Sequence, residues 1–308
     1  MEIKRSDKIT GVILISIASM LWGLDGVVLT PRLSNLDIVF VVFILHALPF
    51  LIMNIFLYNR YKELRLLDKT AALSLLAVSV FGGVLGTIAI VKALFLVHFQ
   101  KLSIIVLLQK LQPVFAIILA AIVLKEKLTK RFLFWGSIAI IAGYFLTFRF
   151  NLPDLHNDKN ILQAALYSVF AAFSFGSSTV FSKNILKKVD FISATFFRYG
   201  LSTLLLLPFV FSNGIRDYLN SMTTSNWIII VIISLTTGSG AIFLYYKGLK
   251  YVKASTSTIS ELFFPITAII LDYLINGNVL SPVQWISAAI MIFAIIKAGM
   301  SSNNPKEI

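Results

Sequence analysis

Ten apolar runs of about 20 residues, following one another along a 308-residue chain, constrain this sequence more than any other feature. They lie at roughly 9–30, 37–58, 70–93, 103–124, 131–150, 161–182, 191–212, 226–246, 254–276 and 282–301. Each is long enough to cross a hydrocarbon core of ~30 Å as a helix, and short polar breaks such as 60–69 and 125–130 separate them. The runs are too long for barrel strands and lack the required alternation. The expected fold is therefore an all-α polytopic membrane protein with ten transmembrane helices. Composition points the same way: 58% of residues are hydrophobic and 13% charged, against about one quarter charged in a soluble globular chain. A soluble enzyme and a disordered chain are both excluded. Run one, with Lys4, Arg5 and Lys8 ahead of it, has the outline of a signal peptide. It passes 20 residues, offers no small-x-small cleavage site and carries Trp22 and Asp25, so it reads as a retained helix.

The net charge of +13 suggests nucleic acid until the basic residues are mapped. With the N-terminus placed in the cytoplasm, 19 of the 27 Lys and Arg residues fall in six cytoplasmic segments. These are Lys4 to Lys8, Arg60 to Lys69, Lys125 to Arg131, Lys183 to Lys188, Lys247 to Lys253, and Lys297 with Lys306. The opposite side holds 6: Arg32, Lys92, Lys101, Arg149, Lys159 and Arg216. Lys110 and Arg198 lie within runs. Such asymmetry is a positive-inside signal, which places both termini in the cytoplasm of an inner or plasma membrane protein. A nucleic-acid binder would gather its basic residues on one face, so nucleic acid is not an expected partner.

The chain divides into two halves, 1–150 and 151–308, joined by the polar stretch at 149–160 (RFNLPDLHNDKN). The halves match at a nearly fixed offset. Trp22-Gly23 corresponds to Phe175-Gly176, Asp37 to Asp190, Gly83 and Lys92 to Gly238 and Lys247, Gln109 and Pro113 to Glu261 and Pro265, and Thr129 to Ser281. A five-helix unit followed by its copy must sit upside down relative to it. Two inverted five-helix repeats are a recurrent architecture of secondary transporters, with the substrate site at the repeat interface near the midplane.

Run four and its exit read LLQKLQPVFAIILAAIVLKEKLT (107–129), and run nine reads ISELFFPITAIILDYLINGNVLS (259–281). These resemble the paired, Pro-centred motif of the EamA family of the drug/metabolite transporter superfamily, in which a Gly-Glu pair follows about 13 residues after the proline. Glu126 stands at that distance from Pro113, whereas Asn278, after Gly277, replaces the second Glu. The segments LWG (21–23), FFRYG (196–200) and YYKGL (245–249) also fit family positions, while Leu45-His46 departs from the family at the equivalent of Arg198. The resemblance covers essentially the whole chain. It implies a basket of helices around a central cavity lined by runs 1, 3, 4, 6, 8 and 9, with runs 5 and 10 further out. It also implies transport of small metabolites such as amino acids, nucleosides or nucleotide-sugars, frequently as export.

Ionisable residues within spans are expensive and usually face protein or water. Lys110 and Glu261 lie at similar depths from opposite faces, so they are expected to approach each other across the cavity. Lys110 would receive an anionic group, and Glu261 would bind an amine or carry the coupling proton; the structural alternative is a Lys–Glu pair joining the halves. Asp25 is a second coupling and binding candidate, and its repeat position is Ser178. Gln109 and Gln112 add polarity beside Pro113. Pro113 and Pro265 each free a carbonyl four residues back, at Gln109 and Glu261, which suits either a midplane site or a packing kink. Trp22, Tyr245 and Phe264 are the aromatics placed at the cavity. Arg198, which matches a common family arginine, is expected to form a structural or gating salt bridge. Gly23 and Gly176 are read as packing or gating positions. Lys92, Lys247 and Asp272 sit near span ends, where long chains reach the interface, and His46 reads as hydrogen-bonded filler.

The sequence has no Walker-type phosphate loop and no His-Glu-x-x-His motif. No cysteine is present, which excludes disulfides and thiolate chemistry. No cofactor or metal is expected. The sequence reads as a secondary transporter for a small polar metabolite, an amino acid or related compound by preference, moved outward by alternating access. An importer or exchanger of nucleosides or organic anions, and a membrane-embedded enzyme acting on a lipid-linked substrate, are the alternatives. The lipid bilayer and a small-molecule substrate are the expected partners, with a homodimer through the outer helices left open.

Overall fold

A computed structural model describes residues 5–97, 105, 108–151, 159–212, 214–277 and 279–301. Lys4, Lys101, Asn278 and Lys306 lie outside the described residues, as do the side chains of Arg5, Lys159 and Asp272. Among the described residues every regular element is a helix. Nine helices are long and apolar enough to cross a membrane: α1 (Ser6–Leu33), α2 (Ile38–Leu66), α3 (Lys69–Leu96), α5 (Lys130–Phe148), α6 (Asn160–Ile185), α7 (Phe191–Ser212), α8 (Thr224–Tyr251), α9 (Ala254–Ile275) and α10 (Pro282–Ser301). Where the sequence predicts a tenth span at 103–124, the structure describes a shorter apolar helix, α4 (Gln112–Val123). Residues 98–104 and 106–107, just before it, lie outside the described residues.

Side-chain caps set where several helices begin. An N-cap oxygen accepts from a first-turn N–H that has no intrahelical partner. Asp37 accepts from Phe40 N at 3.0 Å to open α2, and Asp190 accepts from Ser193 N at 2.8 Å to open α7. Thr129 accepts from Phe132 N at 3.1 Å to open α5, and Ser281 from Gln284 N at 3.4 Å to open α10. Three helices widen midway into π turns, at Asp25–Leu29 in α1, Val78–Leu85 in α3 and Ser234–Gly238 in α8. Helical turns break off shortly before a proline in both halves, at Lys110-Leu111 immediately ahead of α4 and at Glu261-Leu262 within α9.

α5 packs along α10, α2 against α7, α1 against α8 and α9, and α6 against α3 and α4. Exchanging each helix for the one five places on leaves this set of pairings unchanged. Two close approaches repeat the symmetry. Gly23 of α1 sits so near α9 that a Cβ there would lie 3.0 Å from the Phe264 carbonyl and 2.9 Å from Thr267 Cβ. A Cβ on Gly176 of α6 would lie 3.0 Å from both Ala116 N and the Gln112 carbonyl of α4. With no side chain at either glycine, the helix backbones can close to this distance.

Polar contacts group the loops at two ends. At the end carrying the termini, Arg60 pairs with Asp190 at 3.0 Å and Lys188 with Asp68 at 2.8 Å. There too Lys253 Nζ donates to the Lys127 carbonyl at 3.0 Å and Thr129 Oγ1 to the Ser301 carbonyl at 3.2 Å. The far end joins Asn35 to Asn226 and Arg149 to Gln284. The interior on the termini side is filled by Ile15, Leu75, Val78, Ile185, Tyr246, Leu249 and Val252.

Candidate functional site

A central cavity of about 250 Å³ opens between α1, α3, α4, α6, α8 and α9, with α2 and α7 adding Leu45, His46, Arg198 and Tyr199. Neither α5 nor α10 contributes to its wall. It extends toward the far ends of the helices, where Thr30, Leu94 and Ile105 line it, and stops at the packed cluster on the termini side. Its wall is mainly apolar, with a few convergent polar groups, which is the usual character of a small-molecule site.

Glu261 stands at the break in α9 and is 9% exposed. Its Oε1 accepts from the Tyr245 hydroxyl at 2.8 Å and from Ser257 Oγ at 3.5 Å, and its Oε2 accepts from Gln112 Nε2 at 2.5 Å. Tyr245 is in turn held by Thr179 Oγ1 at 2.7 Å. The Glu261 carbonyl that Pro265 leaves without its usual helical donor accepts from Ser19 Oγ at 2.5 Å. One residue thus ties α1 and α4 of the first half to α6, α8 and α9 of the second.

Lys110 occupies the matching break before α4, also 9% exposed. Its ammonium lies 3.7 Å from the centre of the Phe264 ring, a cation–π contact. Lys110 and Glu261 share the cavity, but no ion pair joins them: Tyr245 and Gln112 occupy the carboxylate, and Phe264 receives the ammonium. Gln109 lines the wall beside them. Trp22 packs on Tyr245 with ring centres 5.3 Å apart.

Arg198 departs from expectation. It is 7% exposed, and no carboxylate among the described residues pairs with it. Its guanidinium instead donates to the Gly82 carbonyl at 3.0 Å and the Tyr246 hydroxyl at 3.2 Å, leaving Nε without a partner. The π turn that carries Gly82 turns a backbone oxygen toward α7, so a carbonyl stands where an acid was expected. Ser178 faces the same turn from α6. His46 is a hydrogen-bonded residue as expected, through Nδ1 and the Val42 carbonyl at 2.8 Å, yet it also lines the cavity.

Asp25 opens the π turn of α1 on the cavity wall, next to Thr30 of α1 and Thr237 of α8. Asp25 Oδ1 and Thr237 Oγ1 are both buried and, although their side chains are neighbours, complete no hydrogen bond of ordinary length and angle.

Thr179, Ser257, Thr30, Thr237 and Ser19 were not foreseen. The hydroxyl-rich start of α9 (ASTSTIS) was the signal for Ser257. Thr179 ends the small polar run Ser177-Ser178-Thr179 of α6, the one local signal for it, while its partner is 66 residues away.

Against this geometry stand the known proteins. The EamA-like transporter family matches residues 9–149 and again residues 162–299. The chain belongs to that family. The riboflavin transporter ImpX of Fusobacterium nucleatum is 53% identical over 291 residues, covering 94% of this chain and 97% of that protein. An uncharacterized Bacillus subtilis transporter, YwfM, is 28% identical over 187 residues, 60% of each chain. The LicB protein of Haemophilus influenzae is 21% identical over 217 residues, 70% of this chain and 72% of its own. A known crystal structure superimposes over 96% of both chains with a TM-score of 0.63 at 13% identity, a likeness of fold alone. This EamA-like chain is an integral membrane transporter for a small molecule, and the reading as a membrane-embedded enzyme is set aside. Among the described residues no group of three His, Asp or Glu side chains could hold a metal.

Proposed function

We propose that this transporter carries riboflavin, or a flavin of the same ring-and-polyol chemistry, across the cell membrane by alternating access and without ATP. The observation that carries the reading is the 53% identity with a riboflavin transporter over nearly the full length of both chains. The cavity chemistry is compatible with it. A planar tricyclic ring needs aromatic and apolar walls, which Trp22, Phe175, Phe264 and Tyr245 supply. A polyhydroxyl tail needs fixed acceptors and donors, and Asp25, Gln109, Thr237 and Arg198 stand on the same wall.

The amino-acid substrate and outward direction expected from the sequence have no support among the relatives.

In this reading the units 1–150 and 151–308 are inverted five-helix repeats within one integral body, with α4 completing the tenth span. The exchange symmetry of the helix pairings and the doubled family match support it. Both termini lie in the cytoplasm, because the loops that gather on the termini side hold most of the basic residues. The cavity then faces the exterior and is sealed from the cytoplasm. Substrate contacts are assigned to Lys110, Gln109, Gln112, Asp25, Trp22, Ser178, Tyr245 and Phe264, with Glu261 and Asp25 as coupling groups. Pro113, Pro265, Gly23, Gly176 and Arg198 shape and support the wall. One copy of the chain completes this site; a homodimer would be built on the outer faces of α5 and α10 and leave it unchanged.

Flux into proteoliposomes tests the proposal, with riboflavin run beside a panel of amino acids, nucleosides and organic anions in both orientations. Saturable riboflavin flux is expected. Amino-acid flux without riboflavin flux would overturn it.

A further inference from the structure

Several groups on the cavity wall are buried without an ordinary hydrogen bond, and two of them lie together. Asp25 Oδ1 and Thr237 Oγ1 complete no hydrogen bond of ordinary length and angle although the two side chains are neighbours, Thr237 is 1% exposed, and both residues line the cavity. Thr30, on the next turn of α1, borders the same place. Burying a carboxylate oxygen and a hydroxyl with only poorly formed bonds between them is costly, so a ligand that offers both a donor and an acceptor gains by entering here.

Each of the two also sits on a π turn, Asp25 at the start of Asp25–Leu29 and Thr237 within Ser234–Gly238. Such turns cost helix regularity and are frequent at functional sites. Here they swing an acceptor from α1 and a donor-acceptor hydroxyl from α8 toward one volume. An ionised carboxylate only accepts, and a threonine hydroxyl both donates and accepts. That pairing fits vicinal hydroxyl groups, which also donate and accept. It disfavours a phosphate or carboxylate, whose charge the Asp25 carboxylate would repel. Trp22 lies three residues before Asp25 on α1 and carries the aromatic wall shared with Tyr245. A ring held there would have its substituent within reach of the Asp25 pocket.

We propose that Asp25 and Thr237, with Thr30 beside them, form a polyol subsite that recognises the hydroxylated side chain of the substrate, separate from the aromatic wall that holds its ring. The proposal rests on the flavin reading above and names what distinguishes a flavin bearing a polyol from the bare ring. The subsite sets specificity, and the ring site sets the class.

The test is equilibrium binding to the full chain in nanodiscs, read by flavin fluorescence, with two probes. Riboflavin carries the polyol, and lumiflavin has a methyl group in its place. Wild type is expected to bind riboflavin more tightly than lumiflavin. Asp25→Asn and Thr237→Val, both close in shape to the native residue, are each expected to weaken riboflavin binding on the order of tenfold or less for the threonine and tenfold or more for the aspartate. Lumiflavin should lose less than riboflavin in both, and an unchanged size-exclusion profile and unfolding midpoint show that the variants are folded. Equal losses for the two probes, or no loss for riboflavin, overturn the subsite while leaving the flavin reading in place. If wild type binds neither probe, the flavin reading falls and the subsite falls with it.

Discussion

A single methyl group should separate two glycines that look alike in the sequence. A Cβ on Gly176 of α6 would stand 3.0 Å from Ala116 N, 3.0 Å from the Gln112 carbonyl and 3.2 Å from Phe115 Cβ. Two of these neighbours are α4 backbone, so no rotamer change relieves the overlap and α4 must shift. A Cβ on Gly143 of α5 would meet only the flexible Met291 Sδ, at 3.6 Å, an ordinary contact. Both glycines are interior to helices, so Gly→Ala returns roughly 0.5–1 kcal/mol of backbone entropy in each case. The overlap at Gly176 costs about 1–3 kcal/mol. Because the entropy gain is common to both, the two variants should differ by about that overlap cost, with Gly143→Ala the more stable. Unfolding by titration with SDS in mixed micelles measures the difference directly. Gly176→Ala should also lower substrate binding, since the displaced α4 carries Gln112 away from its 2.5 Å bond to Glu261. Equal stability of the two variants would refute the close approach of α4 and α6, and with it the packing that frames the cavity.

Three further outcomes follow from the contacts. In a double-mutant cycle of Gln112→Ala and Glu261→Ala, the coupling energy should be about 1.5–3 kcal/mol, the range for hydrogen bonds to charged groups; additive losses would show that the pair is not formed. Glu126 caps the start of α9 by accepting from Ala254 N at 2.7 Å, Ser255 N at 3.2 Å and Ser255 Oγ at 2.7 Å. Glu126→Ala should therefore cost about 0.5–2 kcal/mol and increase thiol labelling of a cysteine placed at Thr256 in this otherwise cysteine-free chain; unchanged labelling would mean that the cap does not help close the termini side. The Lys188 ammonium and the Ala71 N–H hold the Asp68 carboxyl below the usual carboxylate range. Its stabilising effect is therefore complete above the unfolded value of about 4 and disappears as pH falls through the lowered folded value. The difference in unfolding midpoint between wild type and Lys188→Gln should accordingly shrink on acidification, and a difference independent of pH would assign the effect elsewhere.

Five of the pairs by which the halves match in the sequence have the same local task in both. Asp37 and Asp190 cap helices, as do Thr129 and Ser281. Pro113 and Pro265 follow helix breaks, Gly83 and Gly238 lie in π turns, and Gly23 and Gly176 allow a neighbouring helix to close in. These tasks are short-range. The backbone itself demands a particular residue type there, so the fold was legible from residue identity and spacing. The cavity network was not, because its partners are far apart in the chain: Gln112 reaches Glu261 across 149 residues, and Arg198 reaches Gly82 across 116.

The positions where the halves disagree carry different information. Asp25 faces Ser178 in the repeat, Gln109 faces Glu261, and His46 stands near the counterpart of Arg198. All six residues line the cavity. Matched positions hold the helices in a symmetric frame that could serve any substrate of suitable size. In the reading proposed above, the mismatches are where the cavity becomes asymmetric, since one half offers a charge and the other a hydroxyl, an amide or an imidazole. An asymmetric solute such as a flavin, with an aromatic ring at one end and a polyol at the other, requires a wall of this kind. A perfectly symmetric cavity would present the same groups to both ends and could not hold it in one orientation.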